Sequence, residues 1–146
     1  MRVSVIGGST ATDAEYERAR EVGRLLGEAG HAVVCGGLGG VMEAACAGAA
    51  ETGGHTIGIL PGEDRTAANE YVDTPVATGM GNARNALVVL NGDAAIAVDG
   101  GTGTLSEIAL ALDAGRPVAG LDTHDVAGVA AVESPGAAVG YVEREG

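Results

Sequence analysis

The chain contains no lysine, phenylalanine or tryptophan. Without lysine it cannot form a Walker-type phosphate loop, in which a lysine contacts the phosphates, or a Schiff base with pyridoxal phosphate. Without the large aromatic residues, its core must be assembled from small apolar side chains. Glycine is abundant instead, with 26 residues. These absences leave backbone groups and a few arginines as the means of holding an anionic ligand.

Positive charge is also scarce. The 20 acidic residues outnumber the 8 basic ones and give a net charge of −12. An acidic, lysine-free surface is typical of proteins that work in high salt, where self-repulsion is screened, and also of ordinary acidic proteins from GC-rich genomes. Either interpretation disfavours nucleic acid and anionic membranes as partners.

Cysteine and long apolar segments are few. Cys35 and Cys46 have neither metal-binding nor redox spacing, so both are interpreted as reduced core residues, and no metal site is predicted. His31 and His55 begin predicted strands and are interpreted as structural, whereas the surroundings of His124 resemble a metal site but fit a loop at least as well. No run approaches membrane-spanning length and no leader is recognised, so we expect a cytoplasmic protein.

Short apolar runs alternate with helical periodicity along the whole chain. This alternation predicts one α/β domain over residues 1–146, a doubly wound, mainly parallel sheet with helices on both faces. Strands are predicted at residues 2–6, 31–35, 55–60, 71–77, 93–98, 118–121 and 129–132, and helices at 13–28, 41–52, 83–90, 105–112 and from 135 onward.

Three predicted strands end in glycine-rich turns. In a parallel sheet these turns must lie on the same edge, beyond the carboxyl ends of the strands, where ligands of such sheets bind. Backbone N–H groups and a helix start at such a turn are suited to phosphate. The predicted phosphate-binding residues are Gly7, Gly8, Ser9, Gly36, Gly37, Gly39, Gly100, Gly101, Thr102, Gly103 and Thr104.

Two charged residues stand out near these turns. Glu107 follows the third turn and is interpreted as a base, a cation stabiliser or a ribose ligand. The structural alternative is a glutamate that only stabilises the positive end of the helix dipole. Arg84 is the lone basic residue of an otherwise apolar helix, and it suits a ligand phosphate, Glu107 or a subunit interface about equally. Asp99, Glu43 and Asn82 are further candidate contacts, with a turn-capping role favoured for Asp99.

Four motifs, in order, resemble those of the LOG-like (LONELY GUY) superfamily. They are Val3–Ser9 (VSVIGGS), Cys35–Glu43 (CGGLGGVME), Gly53–Pro61 (GGHTIGILP), and Arg84 followed by Gly100–Glu107 (GGTGTLSE). The resemblance covers nearly the whole chain. It implies a Rossmann-like fold, a homodimer or homotetramer, and phosphate bound at the turn from Gly100 to Thr104.

Two branches of that superfamily fit. The molybdenum cofactor carrier proteins bind a phosphorylated pterin, and the LOG phosphoribohydrolases release a base from a nucleoside 5′-monophosphate. In the hydrolases Arg84 and Glu107 would match the catalytic pair, with the carboxylate stabilising positive charge on the sugar.

Departures from the hydrolase signature favour the carrier branch. The signature has proline where this chain has Asp99, and lysine where it has Asn85. The resemblance therefore favours a carrier of a phosphorylated nucleotide-like molecule. Such a protein requires no cofactor of its own, and molybdenum cofactor is the cargo that it would bind. Phosphoribohydrolase activity is the alternative, a ligand sensor is a third class, and pyridoxal-dependent lysine decarboxylase activity is excluded.

Overall fold

The structure is a computed structural model that describes residues 1–146. Its seven strands form one sheet in the order β4-β3-β2-β1-β5-β6-β7, and every neighbouring pair is parallel. The strands are β1 (Arg2–Gly7), β2 (Ala32–Cys35), β3 (Thr56–Leu60), β4 (Thr74–Ala77), β5 (Ala94–Val98), β6 (Val118–Leu121) and β7 (Val129–Ala131). The predicted doubly wound, Rossmann-like α/β fold is confirmed.

Five α-helices cover the two faces of the sheet. They are α1 (Asp13–Glu28), α2 (Val41–Glu51), α3 (Arg84–Leu90), α4 (Thr102–Asp113) and α5 (Pro135–Glu145), with 3₁₀ turns at Arg65–Ala67 and Gly81–Ala83. Helices α1, α2 and α5 pack on one face, and α3 and α4 on the other. Because side chains of a strand alternate between faces, Val3 and Val5 enter the first core and Ile6 enters the second.

Local sequence signals set several helix boundaries. Thr12 caps α1 in a capping box with Glu15, and Ser134 caps α5 with Pro135 in its first turn. Helix α4 begins at Thr102 rather than at 105, so part of the predicted glycine turn is the first turn of the helix. The strand predicted at 71–77 is shorter, because β4 starts at Thr74.

Small residues bring α1 and α2 into backbone contact. A Cβ atom on Gly48 would overlap the carbonyl oxygen of Arg20, and one on Gly23 would overlap that of Ala45. The alanine- and glycine-rich sequence of α2 therefore serves close packing on a neighbouring helix as well as on the sheet.

The chain reverses its direction of winding around the central strand β1. Strands β2 to β4 extend the sheet on one side of β1, and β5 to β7 extend it on the other. The carboxyl ends of β1 and β5 therefore lie side by side at a topological switch point, where open parallel sheets bind ligands.

Candidate ligand-binding site

A cavity of about 460 Å³ opens at the carboxyl ends of the central strands. We call it the mouth cavity. The predicted residues in its lining are Gly7, Gly8, Ser9, Gly36, Asn82, Arg84, Gly101, Thr102, Gly103, Thr104 and Glu107. All three predicted turns contribute to it, so the structure brings them together as the sequence predicts. The remaining lining residues are Val5, Ile6, Thr10, Leu38, Met42, Pro61 and Asn85.

A second cavity of about 480 Å³ adjoins the first and shares Gly8, Thr10 and Gly101 with it. Its lining contains no hydrophobic residue. Besides the shared residues, it consists of Glu15, Asp99, Gly100, Asp122, Thr123 and His124. The two cavities together form one concave surface, of which the mouth cavity has a mixed polar and apolar lining and the second cavity a strictly polar one.

Three predicted contacts lie outside both cavities. Gly37, at φ 78°, faces Gly58 and Leu60 beneath the turn, and Gly39 faces the backbone of Ser9. The carboxylate of Glu43 lies beside the phenol of Tyr16, whose pKa is raised by burial and secondarily by this charge.

The start of α4 presents free backbone donors to the mouth cavity. Its N-cap residue is Gly101, and no side chain caps the helix. The first N–H groups of an α-helix have no partner within the helix and stand at the positive end of its dipole. The hydroxyl-bearing residues Thr102 and Thr104 line the cavity beside these groups. This arrangement is suited to a phosphate.

Arg84 is buried although it is charged, with only 8% of its surface exposed. Its guanidinium donates to the side-chain oxygen of Asn85 and, at 3.4 Å, to the carbonyl oxygen of Gly36, while its Nε has no partner. Burial lowers the pKa of Arg84, against the opposing charge of Glu107. The group is therefore only partly satisfied by the protein.

Glu107 is 7% exposed and forms neither a hydrogen bond nor a salt bridge through its carboxyl group. Burial raises the pKa of Glu107 to about 7, and the charge of Arg84 partly offsets that rise. Both groups face the mouth cavity, but they do not bond to each other. The alternative in which Arg84 pairs directly with Glu107 is thus not what the structure shows.

Asp99 lies at the end of β5 in a left-handed conformation, at φ 47°. Its N–H donates to the carbonyl oxygen of Leu121, and its carboxylate accepts from Arg18 at 3.2 Å. Burial raises the pKa of Asp99, and the neighbouring Glu15 adds to the rise while Arg18 opposes it. Sequence reasoning missed Arg18, since nothing local links it to a residue 81 positions away.

The histidines divide as predicted between strand starts and a loop. His31 contacts Glu143 at 3.0 Å and His55 contacts Thr74 at 3.0 Å, both at the edge opposite the mouth. His124 lies in the loop after β6, where its Nε2 is 2.8 Å from the carbonyl oxygen of Gly101. No group of three or more His, Cys, Asp or Glu side chains has an arrangement that holds a metal ion.

The two cysteines are free and buried, with their sulfur atoms 3.5 Å apart. They pack with Met42 in a small apolar cluster below the second turn.

No helix of the structure has the length and apolar character needed to cross a membrane.

The model of the SLOG cluster4 family matches residues 1–145 of the chain. A protein of Archaeoglobus fulgidus, described only as uncharacterised, is 44% identical over 142 residues, which are 97% of this chain and 93% of that protein.

Two solved structures are similar over almost their whole length. The molybdenum cofactor binding protein from the phototrophic bacterium Rippkaea orientalis is 35% identical with a TM-score of 0.89, covering 98% of this chain and 94% of that one. The molybdenum cofactor carrier protein of Chlamydomonas reinhardtii is 32% identical with a TM-score of 0.88, covering 99% and 96%. The chain therefore belongs to the SLOG cluster4 family of LOG-like proteins, and its structural neighbours are molybdenum cofactor carrier proteins.

Proposed function

We propose that this protein binds a phosphorylated, nucleotide-like small molecule in the mouth cavity and acts as its carrier, with a molybdopterin-type cofactor as the favoured cargo. The observation that carries the proposal is the pair of Arg84 and Glu107. Both are buried and both face the cavity; Nε of Arg84 has no partner, and no protein group forms a hydrogen bond or salt bridge with the carboxyl group of Glu107. Buried charges without partners are costly, so a site that retains them is suited to a ligand that supplies the partners.

The phosphate of the ligand is assigned to the start of α4. The uncapped N–H groups there, with the hydroxyls of Thr102 and Thr104, offer donors to its oxygens. A chain with a net charge of −12 repels anions at long range, so this local donor set must outweigh the overall field.

The ring system of the ligand is assigned to the apolar part of the mouth cavity. Leu38, Met42 and Pro61 provide an apolar wall that suits a flat heterocycle, whether a pterin or a purine. Neither cysteine lines the cavity, so the protein offers no thiolate to a molybdenum atom. A molybdopterin cargo would accordingly be held through its pterin and phosphate groups.

The names of the two structural neighbours support this cargo over other phosphorylated molecules. One is named a molybdenum cofactor binding protein and the other a molybdenum cofactor carrier protein. This chain is similar to both of them over nearly its whole length.

Phosphoribohydrolase activity is the second candidate, and the state of Glu107 favours it. A carboxyl group whose pKa lies at about 7 is divided between its acid and base forms at neutral pH. In the ionised form it would stabilise the positive charge that develops on a ribose as the bond to the base breaks. Arg84 would hold the sugar or phosphate beside it.

The backbone at Asp99 favours the carrier over the hydrolase. Proline, which the hydrolase signature has at this position, is confined to φ near −65°. Asp99 has φ 47°, a conformation that proline cannot adopt. The turn that presents the α4 N–H groups therefore begins differently here from a turn that starts with proline.

One experiment separates the two functions. The purified protein is denatured and its supernatant searched by chromatography for a pterin or nucleotide, and native protein is incubated with adenosine monophosphate while free adenine is followed. We expect a bound or titratable phosphorylated ligand and no adenine. Arg84→Gln should lose the ligand, whereas Arg20→Gln, on the surface of α1, should keep it.

Two results would contradict the carrier function. Release of adenine by the native chain but not by Glu107→Gln would establish the hydrolase. Absence of any recovered ligand, together with no binding of adenosine monophosphate in calorimetry, would leave the mouth cavity without the proposed role.

We further propose that the carrier is a homodimer or homotetramer that binds neither nucleic acid nor membranes. The outer face of α3 and α4 exposes Leu90, Leu105 and Leu110, at 51%, 39% and 38%. Large apolar side chains exposed on the two helices of one sheet face favour an interface on that side of the molecule. The acidic net charge supports the second part of this proposal.

A further inference from the structure

Two aspartates at neighbouring strand ends share an unusual backbone conformation. Asp99, after β5, has φ 47°, and Asp122, after β6, has φ 48°. They are the only residues other than glycine with positive φ in the chain. Left-handed conformations cost free energy in residues with a Cβ atom, so they persist where the surroundings hold them.

One arginine contacts both aspartates. Nη1 of Arg18, on the second turn of α1, lies 3.2 Å from Oδ2 of Asp99 and 2.9 Å from Oδ2 of Asp122. We call these three residues the clasp. An isolated surface ion pair contributes little to stability, but here one cation joins two strand ends that are strained in the same way.

The clasp lies directly before the proposed anion site. Asp99 is followed by Gly100, at φ 102°, and by Gly101, the uncapped N-cap of α4. Two contacts from the loop after β6 reach the same turn: Thr123 donates to the carbonyl oxygen of Asp99 at 2.7 Å, and His124 lies 2.8 Å from that of Gly101. The orientation of the first N–H groups of α4 therefore depends on how the two strand ends are held.

We propose that Arg18 is a positioning residue for the anion site at the start of α4. It neutralises two carboxylates that would otherwise repel each other, and it thereby keeps both strand ends in the left-handed conformation that aims the turn at the mouth cavity. The part of this inference that concerns ligand affinity rests on the proposed function. The part that concerns the turn itself does not.

Amide hydrogen exchange tests the turn without any ligand. The N–H of Asp99 donates to Leu121, and that of Leu105 donates to Gly101 at 3.0 Å, so both amides report whether the turn is held. In Arg18→Gln we expect both to exchange about tenfold faster as local opening becomes easier. Arg20→Gln is the matched control, since Arg20 lies on the same helix but pairs with Glu17 and Glu51. Equal exchange in Arg18→Gln and the native chain would overturn the inference.

A rescue experiment distinguishes positioning from direct attraction of the anion. Adenosine monophosphate is titrated at about 0.1 M and about 1 M salt, where charge effects are screened to different extents. We expect Arg18→Gln to weaken binding about tenfold at both salt concentrations, because misplaced donors lose most of their benefit. Glycine adopts positive φ without penalty, so adding Asp99→Gly and Asp122→Gly to Arg18→Gln should restore affinity to within about threefold.

The outcomes separate the two proposals. If the triple variant binds as weakly as Arg18→Gln, Arg18 acts through its own charge on the anion and the positioning role is wrong. If the native chain binds neither adenosine monophosphate nor inorganic phosphate and releases no pterin or nucleotide on denaturation, the proposed function fails, and the exchange of the Asp99 and Leu105 amides still decides whether Arg18 holds the turn.

Discussion

Glu107 places a carboxyl group where its ionised form is poorly solvated. The side chain is 7% exposed, and the nearest compensating charge, Arg84, is itself buried and not bonded to it. Such a group stays protonated to higher pH in the folded chain than in the unfolded one. Its titration is therefore coupled to the stability of the whole domain.

This coupling gives a pH dependence of known sign. Burial raises the pKa of Glu107 from 4.5 to about 7, so between these values the folded state binds more protons than the unfolded state. The free energy of unfolding must then fall as pH rises through this window, by an amount on the order of 3 kcal/mol for a shift of this size. Glu107→Gln cannot ionise and should lack this fall.

Urea unfolding of both chains at pH 5 and pH 8 measures the effect. The difference in unfolding free energy between Glu107→Gln and the native chain should be more favourable to Glu107→Gln at pH 8 than at pH 5. Glu63→Gln, which removes an exposed loop carboxylate, should show the same pH dependence as the native chain. Parallel loss of stability in Glu107→Gln and the native chain would show that another group is responsible.

At this scale the sequence predicts a residue well when a motif contains it. Glu107 is found because it follows a glycine turn, and Arg84 because it is the lone basic residue of an apolar helix; the structure places both in the lining of the mouth cavity. Arg18 and the contact of His124 with Gly101 are missed because these contacts span 81 and 23 positions of sequence. The contact proposed for Glu43 stays a prediction: its spacing from a glycine turn resembles that of Glu107, but the structure places its carboxylate beside Tyr16 and outside both cavities.

Helix α4 combines a structural and a binding role in its first turn. The sequence predicts its start at 105, since Thr-Gly-Thr is a poor helix-forming segment. The structure begins it at Thr102, so the second helical residue is Gly103. Glycine weakens a helix, and its presence here leaves the N–H groups of this turn open to the cavity.

Replacing Gly103 with alanine should therefore separate stability from binding. A Cβ atom at Gly103 meets nothing closer than Nδ2 of Asn85 at 3.9 Å, so the fold accepts it. We expect Gly103→Ala to stabilise the domain by about 0.5 kcal/mol through reduced freedom of the unfolded chain. Its methyl group should also weaken binding of adenosine monophosphate by about tenfold, because it projects beside the phosphate donors.

Gly136→Ala is the matched control for this change. Gly136 is the second residue of α5, and a Cβ atom there meets nothing within 4 Å. Thermal melts should show similar stabilisation in both variants, while calorimetry should show weaker binding only in Gly103→Ala. Equal affinity in the two variants would place the phosphate away from the start of α4.

For the whole molecule, the alternation of strands and helices was sufficient to predict the sheet, because parallel connections leave few topologies to choose from. The convergence of three turns follows from the same rule. What pattern alone does not specify is which surface remains for other chains. The helix predicted at 83–90 is largely apolar, a pattern that does not show which side is covered; in the structure Val88 and Val89 are buried and Leu90 is exposed.

Charged substitutions on this exposed face test self-association. We expect the native chain to sediment as a dimer or tetramer and Leu90→Glu/Leu110→Glu to sediment as a monomer, because burying two carboxylates in an apolar interface is costly. Ala50→Glu adds one carboxylate at an exposed position of α2, on the opposite face of the sheet, and should leave the assembly unchanged. A native monomer at the same concentration would contradict the interface.

The net charge of −12 makes the stability of the molecule dependent on salt. Two opposing effects are present: salt screens the favourable pairs of Arg20 and Arg24 on α1, and it also screens repulsion among the excess carboxylates. Exposed pairs are individually weak, whereas 20 acidic residues face only 8 basic ones, so relief of repulsion should dominate. The melting temperature at pH 7 should therefore rise between about 0.1 M and about 1 M sodium chloride.

Near the isoelectric point of 4.4 the molecule has no net charge, and the same addition of salt should have little effect on the melting temperature. A melting temperature that falls with salt at pH 7 would mean that the ion pairs outweigh the repulsion, and it would remove the reason to associate this composition with high salt.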